Sequence, residues 1–156
     1  MTLLVFPAML LPALARAKDR AQRINCVNNM KQVGLAFRTW ELDHQDQFPF
    51  NVSTNAGGTK EFCSLGPDGF DRNSAIHLQV MSNELSTPKI LVCPADSSKQ
   101  PASTFQNLAS ANVSYQLRTG KDITDSNPAQ ILAVCPKHGS VLLCDGSVQS
   151  KSSSRR

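Results

Sequence analysis

Between Cys26 and Trp40 the apolar residues Cys26, Met30, Val33, Phe37 and Trp40 recur at spacings of 4, 3, 4 and 3, the repeat of one face of an α-helix. Val27 and Gly34 border the stripe, while Arg20, Arg23, Asn28, Lys31, Gln32 and Arg38 fall opposite it. Such an amphipathic segment buries its stripe against something, and these five residues are read as a core-facing packing face. The helical pattern starts near Pro12 and runs for about thirty residues. The polar run from Glu41 to Gln47 then reaches Phe48-Pro49. A residue before proline is driven out of the helical region, so the helix is expected to end by about Asp46.

Beyond the helix the pattern changes. Residues 49–74 are dense in Asn, Ser, Thr, Gly and Pro, which is loop chemistry. A short helix is expected over Ser74–Met81, and one helical turn over 103–109. Four compact apolar runs, Ile90–Cys93, Val113–Leu117, Ile131–Cys135 and Val141–Cys144, have the length and β-branched content of strands in a small antiparallel sheet. Gly120, Asn127-Pro128, Pro136 and Gly139 punctuate them, and Asp145-Gly146 is a hairpin dipeptide. No internal repeat of fixed period is present. The chain therefore divides into a helix (1–47), a small α+β domain (48–149) and a Ser/Lys/Arg tail (150–156) expected to be disordered.

The first fifteen residues stand apart. Met1–Ala15 carries no charge, and Arg16, Lys18, Arg20 and Arg23 follow at once. As a helix this run spans roughly 22 Å, short of the ~30 Å hydrocarbon core. A secretory signal would need basic residues ahead of the apolar run, and none precedes Leu3, although Ala13-Leu14-Ala15 has the form of a cleavage site. Pro7 and Pro12 argue against an ordinary buried helix. A membrane-seeking tip is the better reading, formed by Leu3, Leu4, Val5, Phe6, Met9, Leu10 and Leu11.

Charge sharpens this division. The 156 residues carry a net +4, but five of the basic groups lie in residues 1–31 and three in 151–156, leaving residues 32–150 with 8 basic and 11 acidic groups. The globular part is mildly acidic. Nucleic-acid binders spread basic groups over a folded face, so a nucleic-acid partner is not expected.

Candidate chemistry centres on five cysteines, an odd number. Cys26 on the helix and Cys93 at a strand end sit where helix and sheet should meet, which makes them the favoured disulfide pair. Cys135 and Cys144 could bridge adjacent strands across the Pro136–Gly139 turn, and connectivity stays open. The sharper alternative is zinc: Cys135-Pro136-Lys137-His138 has Cys-x2-His spacing, Cys144 follows, and Cys93 could be a fourth ligand. Structural zinc ordinarily shows two paired motifs and only one is present, so ordinary strand cysteines and a surface-loop His138 are the favoured reading. The nucleophile elbow, P-loop, dinucleotide fingerprint and zinc-protease helix motif are absent, and no Cys-x-x-Cys pair occurs. Ser140, His138 and Asp145 lie close in sequence, which says nothing of triad geometry. An enzyme is not expected.

Ala8 to Lys18 (AMLLPALARAK), followed by Cys26 to Ala36 (CVNNMKQVGLA), resembles the N-terminal helix of type IV pilin-like proteins, specifically the major-pseudopilin-like (G-type) proteins of bacterial type II secretion. Asn83–Lys89, Cys93–Asp96, Asn112–Tyr115, and His138-Gly139 leading to Asp145–Val148 extend the resemblance over most of the chain. It implies a non-enzymatic subunit anchored in the bacterial inner membrane by one helix, with its globular domain on the periplasmic side. The implied partners are other pilin-like subunits and a secretion-apparatus platform. Such relatives begin with a basic leader, a Gly at the cleavage point, a methylated Phe and a Glu soon after. None can be placed here, and the apolar start is shorter by roughly ten residues, the same shortfall that bilayer thickness gives. An upstream start or a lost processing signal is expected. The connection from Ala133 to His138 is also shorter than in relatives.

The positive-inside rule would put Arg16–Arg23 in the cytoplasm, whereas the resemblance puts them outside it; continuity of the helix with the domain below favours the second. The family's use of calcium draws attention to Asp68, Asp71 and Asn73, but the EF-hand pattern is not met and turn formation is the favoured role. The other reading is a membrane-anchored or secreted extracytoplasmic binding module that does not assemble.

Overall fold

The computed structural model describes residues 5–150, and side-chain surroundings from Leu10 onward. The fold is α+β: one long N-terminal helix and a small antiparallel sheet of four strands. Helix α1 (Val5–Leu42) contains 38 residues, about 57 Å at the usual rise, and continues through Pro12. It ends four residues before Asp46. Gln45 and Asp46, both at positive φ (59° and 56°), reverse the chain, and the Asp46 amide donates to the Glu41 carbonyl at 3.1 Å. Beside this end the Trp40 and His44 rings stack with centroids 3.5 Å apart. Arg38 pairs with Glu41 at 3.3 Å and also with Asp125, tying the helix end to the loop before the second strand.

Among the described side chains, α1 begins to meet the rest of the chain at Gln22, whose side-chain amide donates to the Pro94 carbonyl at 3.2 Å. Cys26, Met30, Val33, Phe37 and Trp40 are all buried, while Leu10, Leu11 and Leu14 are exposed. The packed half lies across the sheet and against a 3-10 turn at Pro88–Leu91. Short helix α2 (Ser74–Gln79) follows the long loop. The sheet is a meander in the order β1 (Gln116–Leu117), β2 (Ile131–Val134), β3 (Val141–Leu143), β4 (Val148–Gln149), every neighbour antiparallel. An irregularity between Ile131 and Ala133 lets Leu132 and Ala133, adjacent in sequence, both be buried. The Asp145-Gly146 dipeptide makes the β3–β4 turn, with Gly146 at φ 83°.

Two expected strands are corrected. Ile90–Cys93 is not a strand: Pro88 starts a 3-10 turn that the Thr87 hydroxyl caps by accepting from the Lys89 amide at 3.4 Å, and only Val92 returns to extended backbone. Within Val113–Leu117, Ser110–Asn112 form a preceding 3-10 turn and only Gln116–Leu117 pair with a neighbour. The helical turn expected in 103–109 is a 3-10 turn at Phe105–Asn107. The tail from Lys151 to Arg156, and Leu3 and Leu4 of the expected membrane tip, lie outside the described residues; for Val5, Phe6 and Met9 only the helical backbone is described.

At Gly34 helix and sheet approach closely. A Cβ there would lie 2.7 Å from Leu142 Cδ1 and 3.1 Å from the Gly146 Cα. Ala would gain up to about 1 kcal/mol of helix propensity, but overpacking a buried contact costs about 1–3 kcal/mol. Gly34→Ala is therefore expected to lower the urea midpoint with an unchanged slope; a raised midpoint would mean that the two elements separate easily.

Candidate functional site

Two features exceed what packing requires: a buried group of thiols and an imidazole, and the unpacked half of α1.

Cys26 projects from the packed face of α1, Cys93 from the extended chain after the Pro88–Leu91 turn, Cys135 from just beyond β2, and His138 from the β2–β3 turn. All four side chains are buried, and one ligand atom from each lies within 4.8 Å of the other three. Cys93 Sγ and His138 Nδ1 are 3.3 Å apart. All five cysteines are free thiols. Cys26 and Cys93, the favoured disulfide pair, thus share their space with Cys135.

Each Cys-Pro turn aims backbone N–H groups at its sulfur. The Ala95 amide faces Cys93, and the amides of Lys137 and His138 face Cys135. The Cys26 thiol donates to Cys135, and this bond together with the backbone donors holds Cys135 well below the usual thiol range despite burial. The same bond, reinforced by burial, pushes Cys26 up. Burial is the largest cause of the upward shift at Cys93. The Tyr115 hydroxyl lies beside these thiols and is pushed up by burial and by their charge. Tyr115 Oη and His138 Nε2 are buried without a hydrogen-bond partner.

No family model, curated protein or solved structure matches the chain.

Cys144 does not belong to this group, which corrects the expected set Cys135, His138, Cys144. The hairpin register explains why. The Cys135 amide bonds to Ser140, whereas the Cys144 amide bonds to Gln130 at the opposite end. Four residues of strand, roughly 13 Å, separate the two places, so neither shared ligation nor a Cys135–Cys144 bridge is possible. His138 is likewise not a surface-loop residue: it is only 8% exposed, because the Gly139 amide bonds back to the Cys135 carbonyl at 2.8 Å and folds the turn inward. Its Nδ1 meets a thiol, and Asp145 Oδ1 accepts from the Ser147 amide at 2.8 Å as a turn residue. Sequence proximity favoured Cys144, whereas the two Cys-Pro turns were the signal for Cys93 and Cys135.

A second group joins Cys63, Asp71 and His77, of which the sequence reading had named only Asp71, and with other partners. Asp71 is buried and accepts from the Ser64 amide (2.9 Å), the Asn73 amide (2.7 Å) and the Thr119 hydroxyl (2.6 Å). His77 Nδ1 is 2.7 Å from the Thr59 hydroxyl, and its Nε2 is 3.5 Å from Asp71. Both oxygens of the Asp71 carboxylate are already engaged in holding loops together. Asp68, the other carboxylate considered for calcium, accepts from the Phe70 amide at 3.2 Å, and the Asn73 amide group donates to the Phe62 carbonyl at 2.8 Å. These residues tie turns.

Along the unpacked half of α1, Leu10, Leu11 and Leu14 are 57%, 69% and 63% exposed, and Ile24 is exposed below them. Among the described residues no helix is long and apolar enough to cross a membrane.

Proposed function

We propose that this chain is a non-enzymatic, pilin-like structural subunit. Its head is carried on an N-terminal stem helix that anchors it at the bacterial inner membrane and packs against the stems of other copies in a type II secretion or type IV pilus-like assembly. The observation that carries the reading is the division of α1: a packed part within the head, and a projecting part whose leucines are exposed. The side chains of residues 10–21 are all exposed, so this stretch of the 38-residue helix gains its stability elsewhere, since helical stability in water comes chiefly from packing. A lipid surface and neighbouring stems both supply that packing. A membrane-anchored binding module that does not assemble is the second reading, and the buried thiol–imidazole group is what favours it.

Burying a leucine fully is worth about 1.5–3 kcal/mol. Replacing two with aspartate, Leu11→Asp with Leu14→Asp, is expected to weaken self-association at least about a hundredfold while leaving the head's unfolding unchanged. Sedimentation of the full chain after dilution from detergent, with electron microscopy for filaments, reads this directly. A wild-type chain that stays monomeric under these conditions and in the presence of an assembly platform would overturn the assembly reading.

A further inference from the structure

We propose that Cys26, Cys93, Cys135 and His138 form a structural zinc site that clasps the stem helix to the sheet of the head. The site is independent of whether the stem assembles.

Three thiols and one imidazole are a closed donor set of the kind structural zinc takes, with no place left for water or substrate. At Zn–S distances of about 2.3 Å and Zn–N of about 2.0–2.1 Å, a tetrahedron sets neighbouring ligand atoms roughly 3.5–3.8 Å apart. Here the four ligand atoms already lie within 4.8 Å of one another, and Cys93 Sγ and His138 Nδ1 approach to 3.3 Å. Only a small rearrangement separates this group from tetrahedral ligation through Nδ1.

Hydrogen-bond donors are already placed around the sulfurs, as the second shell of a bound metal requires. The amides of Ala95, Lys137 and His138 supply the N–H donors that offset negative charge on Cys93 and Cys135. Tyr115 places a hydroxyl with no other partner beside the sulfurs, where it can donate to one of them. Binding one Zn²⁺ releases the thiol protons to solvent and leaves a complex of net −1, with no change of oxidation state. Burying three thiols and a histidine together with no ion gives the head little, since two thiols suffice for a disulfide and apolar side chains would fill the space at less cost. The ligands come from the helix, the extended chain after the Pro88–Leu91 turn and the β2–β3 hairpin, so one ion would join the parts of the head that are farthest apart in sequence.

The test uses the full chain, reduced, stripped with chelator and reloaded with Zn²⁺ or Co²⁺. The expected result is one zinc per chain retained through desalting, and a Co²⁺ form with thiolate charge-transfer bands and the intense visible bands of a tetrahedral ion. Removing zinc is expected to lower the unfolding midpoint by roughly 10 °C. Cys135→Ser and His138→Asn should each weaken zinc binding at least tenfold, while Cys144→Ser and Cys63→Ser keep full stoichiometry. The wild-type Co²⁺ spectrum stands whether or not a variant folds. Zinc lost on desalting from fully reduced protein overturns the proposal. So does a Cys144→Ser variant as impaired as Cys135→Ser, or a Cys26–Cys93 disulfide in protein isolated without reductant that, once reduced, takes up no metal.

Discussion

Replacing Phe37 with alanine is expected to cost about 3–5 kcal/mol, enough to remove a large part of the stability of a domain this size. Phe37 is fully buried on the packed face of α1. Its ring meets Phe48 edge-on at 5.4 Å between centroids and Phe50 at 6.1 Å, and Phe50 in turn meets the His77 ring at 5.9 Å. The three phenyl rings lock the helix onto the first loop that follows it. Leu35→Ala, two residues from Phe37 and 65% exposed, is the matched control and should change little. Urea unfolding followed by fluorescence checks both, because the single tryptophan, Trp40, is buried one turn away on the same face. Equal midpoints for the two variants would show that the aromatic contact does not hold the head together.

Asp71→Ala is expected to be of similar size, roughly 3–5 kcal/mol, for an electrostatic reason. It orphans three donors at once: the Ser64 and Asn73 amides and the Thr119 hydroxyl. Each such group costs about 1–3 kcal/mol when left buried and unpaired. The pH dependence follows from the same contacts. Burial alone would raise the Asp71 carboxyl, but the Thr119 hydroxyl, the two amides and neighbouring His77 outweigh it and hold it below the ordinary range. Its contribution is therefore complete above the unfolded value near 3.9 and is lost as pH falls through the lower folded value. His77 also has a lowered pKa, because burial disfavours its cation more than Asp71 favours it. It contributes stability that is present above its unfolded value near 6.5 and declines as pH falls toward the folded one. The contributions of His77 and Asp71 should thus be lost on acidification in two stages, the first beginning below about pH 6.5. The Asp71→Ala variant should lose the more acidic stage. Chemical unfolding across pH 3 to 8 measures this, and an unchanged acid limb in the variant would show that another carboxylate governs it.

How far the sequence foretold these features depends on how local each one is. The packing face of α1 was legible because five apolar residues repeat at helical spacing, and the last hairpin because Asp145-Gly146 specifies its own turn. Ile90–Cys93 was not, since a short β-branched run after Pro88 fits a 3-10 turn as well as a strand. The thiol group was legible only in part. His138 and Cys135 are neighbours in the chain, but Cys26 and Cys93 reach them only through the packing of helix on sheet. Cys144, close in sequence, is carried to the far end of the hairpin by the antiparallel pairing. Asp71 was legible only as a turn former, and its link to His77 left no signal, because the partners Thr59, Ser64 and Thr119 are distant from one another or from it in the chain.

The divided helix has a consequence in time as well as in space. Its amides from Cys26 to Leu42 are sheltered by the head and can exchange with solvent only when that core opens. Those from Leu10 to about Gln22 depend on the local helix–coil equilibrium, which for an unsupported segment relaxes in under about a microsecond. One continuous backbone therefore carries two clocks, and in the proposed assembly a bilayer or a neighbouring copy would act first by slowing the faster one.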